Sequence, residues 1–382
     1  MRAFVFTDES LARHAGRFVW LEIDTEKPQN AAVRKRLKVQ ALPTFFVLDP
    51  ADERVALRWV GGATASQLEE LLDDGALAVS AGRGGATRSD VERALARADS
   101  LYGAGDDDAA ARAYQQALAS APADWPRYGR AVESALFALS STGDDLAAAR
   151  LARDAFPKLS RTSSAANVAA SGLGAALSLP DSVPEKKNFA ATLESAARAV
   201  VADTTVPIAA DDRSGVYISL LDARKDAKDD AGARQVASAW AAFLEAEAAR
   251  APDPDARAVF DSHRLSAYLE LGAPERALPM LEASERDLPD DYNPAARLAV
   301  ACKAMKRWDE ALAASDRALA KAYGPRQLGI LQTRSDIHAG RGDAAAARKT
   351  LEDALALAQS FPPGQRSEAA ITALRKKLDA MK

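Results

Sequence analysis

The side chains able to do thiol, metal or nucleophilic chemistry are few and scattered. Cys302 is the only cysteine, so the printed chain has no intramolecular disulfide and no CxxC pair of the zinc or the redox kind. It falls in a stretch, Ala295 to Met305, whose spacing predicts a helix, and beside Val300 and Ala301 it reads as a small buried hydrophobe rather than a reactive thiol. His14, His263 and His338 stand apart, none three or four residues from another, so no metal site is predicted. No P-loop, dinucleotide fingerprint or GxSxG is present, and no cofactor is expected. Gly82-Arg-Gly84-Gly85 could cradle a phosphate, but no Lys-Ser/Thr follows in a strand-to-helix context. The acidic pairs Asp73-Asp74, Asp106 to Asp108, Asp144-Asp145 and Asp290-Asp291 fall at helix starts or turns, where capping accounts for most of them.

The elements that must position such residues are mainly helical. Alanine is abundant and aromatics are only 6%, a mix suited to helices packed closely through small side chains. At 382 residues, two domains, or a domain and a repeat array, are expected. Lys+Arg 50 against Asp+Glu 54 leave a net charge of -4 with both signs interleaved, which gives no footprint for nucleic acid. No run of about 18 apolar residues predicts a membrane span. The opening residues lack a signal-peptide pattern, so the chain as printed reads as cytoplasmic.

Residues 1–72 alternate helical and strand patterns. A helix over Ser10 to Gly16, with Asp8 as N-cap and Gly16 as stop, precedes a buried-strand pattern from Phe18 to Asp24. A helix over Asn30 to Leu37 follows, then a strand opened by Pro43, a turn at Pro50 to Glu53, a second strand over Val55 to Val60, a break at Gly61-Gly62 and a helix over Ala65 to Leu72. Residues 73–88, with Gly75 and the glycines near 82–85, read as a flexible linker.

This order, with Phe6-Thr-Asp8, Phe18-Val-x-Leu-x-Ile-Asp24, Val39-x-Ala-Leu-Pro-Thr-Phe45, Val47-Leu-Asp-Pro50 and Gly61, resembles the thioredoxin fold from partway into its first helix onward. The match leans to its periplasmic thiol-disulfide interchange branch. The resemblance implies a cis Leu42–Pro43 bond, with Leu42, Pro43 and Thr44 as the loop on which substrate docks. It also implies a central strand and a WCxxC motif, both of which the printed sequence lacks, so the chain is expected to be an amino-terminally truncated product. An upstream signal peptide would then place the protein in the periplasm.

From residue 89 a repeat emerges. Gly105-Asp leads to Ala110, Tyr114, Ala117, Leu118 and Pro122, and Gly143-Asp to Ala148, Ala152, Ala155 and Phe156. Gly272 leads to Ala277, Leu281 and Pro289; Trp308 stands before Ala311, Ser315, Ala318 and Leu319; Gly342-Asp leads to Ala347, Leu351, Ala354 and Leu355. The aligned alanines lie 34 residues apart from Ala277 to Ala311, 36 from Ala311 to Ala347 and 38 from Ala110 to Ala148. The pattern resembles tetratricopeptide repeats, in which a glycine turns the chain between two antiparallel helices and small residues let them approach. Between 159 and 255 the signal fades, with 178–187 and 202–212 read as loops and the helices there as irregular. The helix Gln365 to Met381 reads as a solvating cap.

The expected fold class is thus mainly α: a partial thioredoxin-like α/β segment (1–72), a linker (73–88) and an α-solenoid of tetratricopeptide-like helix pairs (89–382). Such an array presents a face of first helices that takes a protein or peptide partner, with Arg264, Tyr268, Arg297, Arg334 and His338 as candidates on it. Two functions compete. One is a thioredoxin-family redox protein, inactive as printed because exchange needs an attacking and a resolving thiol; the other is a non-catalytic interaction scaffold or chaperone-like adaptor.

Overall fold

In the computed structural model, which describes residues 4–81 and 89–381, Asp8 caps a 3₁₀ turn, Glu9–His14, by accepting the Ser10 amide, and Gly16 stops it at φ +76. A second 3₁₀ turn, Pro28–Asn30, leads into α1, Ala31–Arg36. β1, Thr44–Leu48, and β2, Val55–Val60, pair antiparallel from Thr44↔Val60 to Leu48↔Val55. Period-two alternation then splits the hairpin between two neighbours. Leu57 and Trp59, with Phe45 and Val47, pack on Leu68, Leu71 and Leu72 of α2, Ala65–Ala81. Arg58 takes the opposite face and lies over Tyr102 of α3, Asp90–Gly103.

The expected strand from Phe18 to Asp24 does not form. A strand exists only beside another strand, and among the described residues the sheet is β1–β2 alone. Val19 and Leu21 are instead 87% and 75% exposed. The expected linker is corrected in its first part, because α2 runs on to Ala81 through 73–81; Gly82 to Gly85 lie outside the described residues. Asp74 binds arginines of the array, and Gly75 is a close approach rather than a hinge: a Cβ there would fall 2.6 Å from Val47 Cγ2. The chain divides into two compact units, Met1–Val19 with Val39–Val236, and Trp20–Lys38 with Ala237–Lys382. This division runs elsewhere than the expected boundary at 73–88.

In the first unit α3 pairs with α4, Asp107–Ala119; α5, Tyr128–Thr142, with α6, Asp145–Leu159; and α7, Ala165–Ser178, with α8, Lys186–Ala202. α9, Ala210–Asp226, follows, and α10, Asp230–Arg250, starts there. The second unit holds the rest of α10 and α11, Pro254–Ala258. α12, Asp261–Glu270, then turns through 3₁₀ residues Pro274–Ala277 into α13, Leu278–Asp287. α14, Asn293–Ala304, pairs with α15, Trp308–Lys321, and α16, Arg326–Arg341, with α17, Ala344–Ser360; α18, Glu368–Asp379, closes on α17. The fold is therefore mainly α, a solenoid of tetratricopeptide-like pairs behind a small hairpin.

One turn recurs along it. Gly105, Gly143, Lys228, Gly272, Lys306 and Gly342 all sit at positive φ just after a first helix. In each case the following amide donates to a carbonyl five residues back, as Asp106 to Leu101, Asp144 to Leu139 and Arg307 to Cys302. This is the left-handed closure that satisfies the last helical carbonyls. Asp106, Asp144, Asp229 and Asp343 then cap the second helix by accepting an amide three residues on. Five residues after the turn the aligned alanines, Ala110, Ala148, Ala277, Ala311 and Ala347, are buried.

The stretch from 159 to 255, expected to be irregular, is helical through α7 to α10, with loops where they are expected. Its repeat is obscured by two substitutions: Lys228 stands in the turn for glycine, and buried Trp240 stands twelve residues on, where Ala117, Ala155, Ser284, Ala318 and Ala354 keep the position small.

The turn yields a prediction. A side chain at αL costs roughly 1–2 kcal/mol, so Lys306→Gly, at an exposed position, is expected to stabilise the chain by about 1 kcal/mol and Gly143→Ala to destabilise it by a similar amount. Urea midpoints of the two variants should move in opposite directions.

Candidate partner-binding face

A buried ionic network joins the hairpin side of the first unit to its array. Arg130 of α5 donates Nη1 and Nη2 to the two Asp99 oxygens at 3.0 Å each, and its Nε lies 2.8 Å from Asp74 Oδ2 of α2. The Tyr114 hydroxyl donates to Asp99 Oδ1 at 2.7 Å, and Arg127 Nε to Asp74 Oδ1 at 2.6 Å. Burial opposes the Arg130 charge, but Asp99 and Asp74 outweigh it and hold the guanidinium protonated; burial and Asp99 push the Tyr114 hydroxyl far up. These atoms bind one another and carry no reacting centre. Their effect is to fasten α2 onto α5, while β2 lies on α3 and α5, so the chain's own amino-terminal elements cover the first helices of the first two pairs.

First helices adjoin one another directly, α5 with α7 and α7 with α9 in the first unit, α12 with α14 and α14 with α16 in the second. Side chains bridging them mark the shared face. In the first unit Asn167 Nδ2 donates to Glu133 Oε2 at 2.6 Å, and burial pushes the Glu133 carboxyl up to about 7. In the second, Lys303 Nζ of α14 lies 3.3 Å from Asp336 Oδ2 of α16, and Lys377 Nζ of α18 lies 3.7 Å from Asp336 Oδ1. These three side chains are 30–48% exposed and form an alternating charged row across α14, α16 and α18. Such a row offers paired donors and acceptors to an extended chain laid across it.

The residues singled out in sequence are placed otherwise. Tyr268 is buried, its hydroxyl donating to Glu245 Oε1 of α10 at 2.7 Å, with Arg276 stacked 4.6 Å over its ring. Arg334 Nη1 donates to Ser315 at 2.7 Å and Asp316 at 2.5 Å, both on α15. Burial, with the Arg334 charge, lowers the His338 pKa, and burial lowers that of Arg297 against the pull of Asp261. Arg264 is half-buried on α12 in the same neighbourhood, where its charge bears on Asp261. Tyr268 and Arg334 are ties to the second helix of the preceding pair, which their helical period alone does not distinguish from the open face.

Cys302 is buried in α14 and burial raises its thiol pKa, as its sequence setting suggests. Asp106 and Asp144 are caps, whereas Asp73 pairs with Arg13 and Arg17 from within α2, against the capping expectation. Leu42 and Pro43 are exposed, the bond between them is cis, and the Thr44 hydroxyl donates to Ala41 O at 2.6 Å. Among the described residues no three His, Cys, Asp or Glu side chains converge as a metal site, and no helix is long and apolar enough to cross a membrane.

No family model matches the chain, and no curated protein matches it in sequence. Several solved structures are similar in backbone. A tetratricopeptide repeat protein from Parabacteroides merdae is 11% identical at a TM-score of 0.45, over 76% of this chain and 98% of that one. The TPR2AB domain of yeast Sti1 in its pHSP90 complex is 16% identical at 0.28, over the same 76% and 98%. The assembly chaperone of RpL4, Acl4, is 16% identical at 0.33, again over 76% and 98%. The helix-pair architecture stands on the chain's own turns and packing rather than on these likenesses.

Proposed function

We propose that this chain is a non-catalytic interaction scaffold whose second unit binds an extended protein segment along the first-helix face of α12, α14 and α16. The observation that carries the reading is the partly exposed charged row Lys303, Asp336 and Lys377, which bridges the first helices α14 and α16 and the closing helix α18 instead of tying a first helix to a second. In the first unit β2 packs on the first helices α3 and α5 and α2 is tied to α5 through Asp74 and Arg130, so these amino-terminal elements occupy that end of the face. The thioredoxin reading keeps the strand, strand, helix order from Thr44 to Ala81 and gives Leu42, Pro43 and Thr44 a docking role, but its chemistry needs a thiol pair and the chain has Cys302 alone. The scaffold is accordingly expected to show no insulin-reducing turnover.

The test is an immobilised array of 12-residue peptides probed with the full chain and with Lys303→Glu/Lys377→Glu. The native chain is expected to retain a defined subset that the variant loses while its helical circular dichroism is unchanged. The same subset retained by both would sink the assignment of this face.

A further inference from the structure

Residues 20–38 belong to the second unit, and their acidic turn is held there by side chains of the repeat loops. The Tyr323 hydroxyl donates to Asp24 Oδ2, and Arg326 Nη2 lies 3.5 Å from both Asp24 oxygens. Arg326 Nε lies 3.0 Å from Glu26 Oε2. The same guanidinium sits 4.6 Å over the Tyr323 ring and 5.6 Å over the Tyr292 ring, with Nη1 donating to the Tyr323 hydroxyl at 2.9 Å. Burial opposes ionisation of Asp24, but Tyr323, the Glu26 amide and Arg326 hold its carboxylate below the usual range.

The backbone between the two acids is read as well. Thr25 is buried, and its carbonyl accepts from Gln365 Nε2 at 3.1 Å. Two glycines make room for the passing chain: a Cβ on Gly324 would stand 2.5 Å from the Glu26 carbonyl oxygen, and one on Gly364 1.9 Å from that of Ala31. A fixed cation on an aromatic floor, two carboxylates spaced Asp-x-Glu, a backbone hydrogen bond and clearance without side chains are how a peptide is recognised. On its amino-terminal side the strap has little apolar anchorage, since Val19 and Leu21 are exposed.

We propose that Tyr292, Tyr323, Arg326 and Gln365, with Gly324 and Gly364, form a binding site for an acidic Asp-x-Glu peptide of a partner protein. The chain's own Asp24-Thr25-Glu26 fills this site in cis, and the partner segment displaces it. The site lies on the loops α15–α16 and α17–α18 and on Tyr292 before α14, apart from the charged row, so the two readings stand or fall separately.

The experiment uses the full chain and a labelled peptide, acetyl-Ile-Asp-Thr-Glu-Lys-Pro-Gln-Asn-amide, followed by fluorescence anisotropy. It is expected to bind Asp24→Asn/Glu26→Gln at least tenfold more tightly than the native chain, and Arg326→Met not measurably. In parallel, unlabelled peptide added to the native chain should speed tryptic cleavage after Arg34 and Arg36, while a control peptide with Asn and Gln for the two acids should not. Unchanged cleavage at saturating peptide overturns the proposal whether or not the double variant folds. So does binding that survives Arg326→Met but is lost in Lys303→Glu/Lys377→Glu, which would return the peptide to the first-helix face.

Discussion

Arg130→Met is expected to destabilise the first unit by about 3–5 kcal/mol, the range for removing one partner of a buried ion pair. Arg130 and Asp99 are both almost wholly buried, and the guanidinium neutralises Asp99 and Asp74 together. Methionine fills most of the space and leaves two carboxylates in low dielectric, with Tyr114 still donating to Asp99 and Arg127 to Asp74. The loss is therefore one of uncompensated charge rather than of packing. Asp99→Asn added to Arg130→Met should recover part of it, because the amide needs no counter-ion. Urea unfolding of the single and double variants measures this; a double variant less stable than Arg130→Met would mean that the pair is not what holds α2, α3 and α5 together.

Glu133→Gln should raise stability at pH 8 relative to its effect at pH 5 by about 2.5 kcal/mol, because most of the interval between an unfolded carboxyl at 4.5 and the folded one at about 7 lies above pH 5 and each pH unit is worth about 1.36 kcal/mol. Burial pushes this carboxyl up to about 7, with Asp212 adding to it, against hydrogen bonds from Ser164 and Asn167 that favour the anion. Folding thus retains a proton that the unfolded chain releases near the ordinary glutamate value of 4.5. Over that interval the folded state binds more protons, and stability falls as pH rises from about 4.5 to 7. Glutamine keeps an acceptor for Asn167 Nδ2 and has no charge to bury. Comparing the two pH values cancels any cost of the amide that is independent of pH. Parallel denaturation curves at pH 5 and pH 8 for both proteins would refute the shift.

How far the sequence could be read shows in particular residues. The turns at Gly105, Gly143, Gly272 and Gly342 and the buried alanines behind them were visible because glycine at αL and a small side chain at a helix crossing are constraints on single positions. Lys228 and Trp240 break those rules locally while keeping the backbone, and the repeat was lost where they fall, whereas at Lys306 the spacing of Ala311, Ser315 and Ala318 kept it legible. Asp8, the hairpin Thr44–Leu48 with Val55–Val60, and the first part of α2, Ala65 to Leu72, were legible for the same reason, each being decided within a few residues.

What failed was each assignment that depends on a partner distant in sequence. Phe18 to Asp24 has the composition of a strand, but a strand is a relation between segments, and this run passes instead into a unit built from residues beyond 236. Asp73-Asp74-Gly75 has the composition of a tether, but Arg13, Arg17, Arg127 and Arg130 and the flank of Val47 make it the inner part of a helix. Tyr268 and Arg334 have the period of an open face but are spent on neighbouring helices. Sequence alone determined the class of fold, the turns and the lone buried thiol, because these follow from local propensity and from counting. Tertiary structure alone decided which face is free, where the acids find their arginines, and that Asp24 and Glu26 lie under Arg326 some 300 residues along the chain. Those pairings are set by which surfaces stacking leaves adjacent, and no local pattern encodes them.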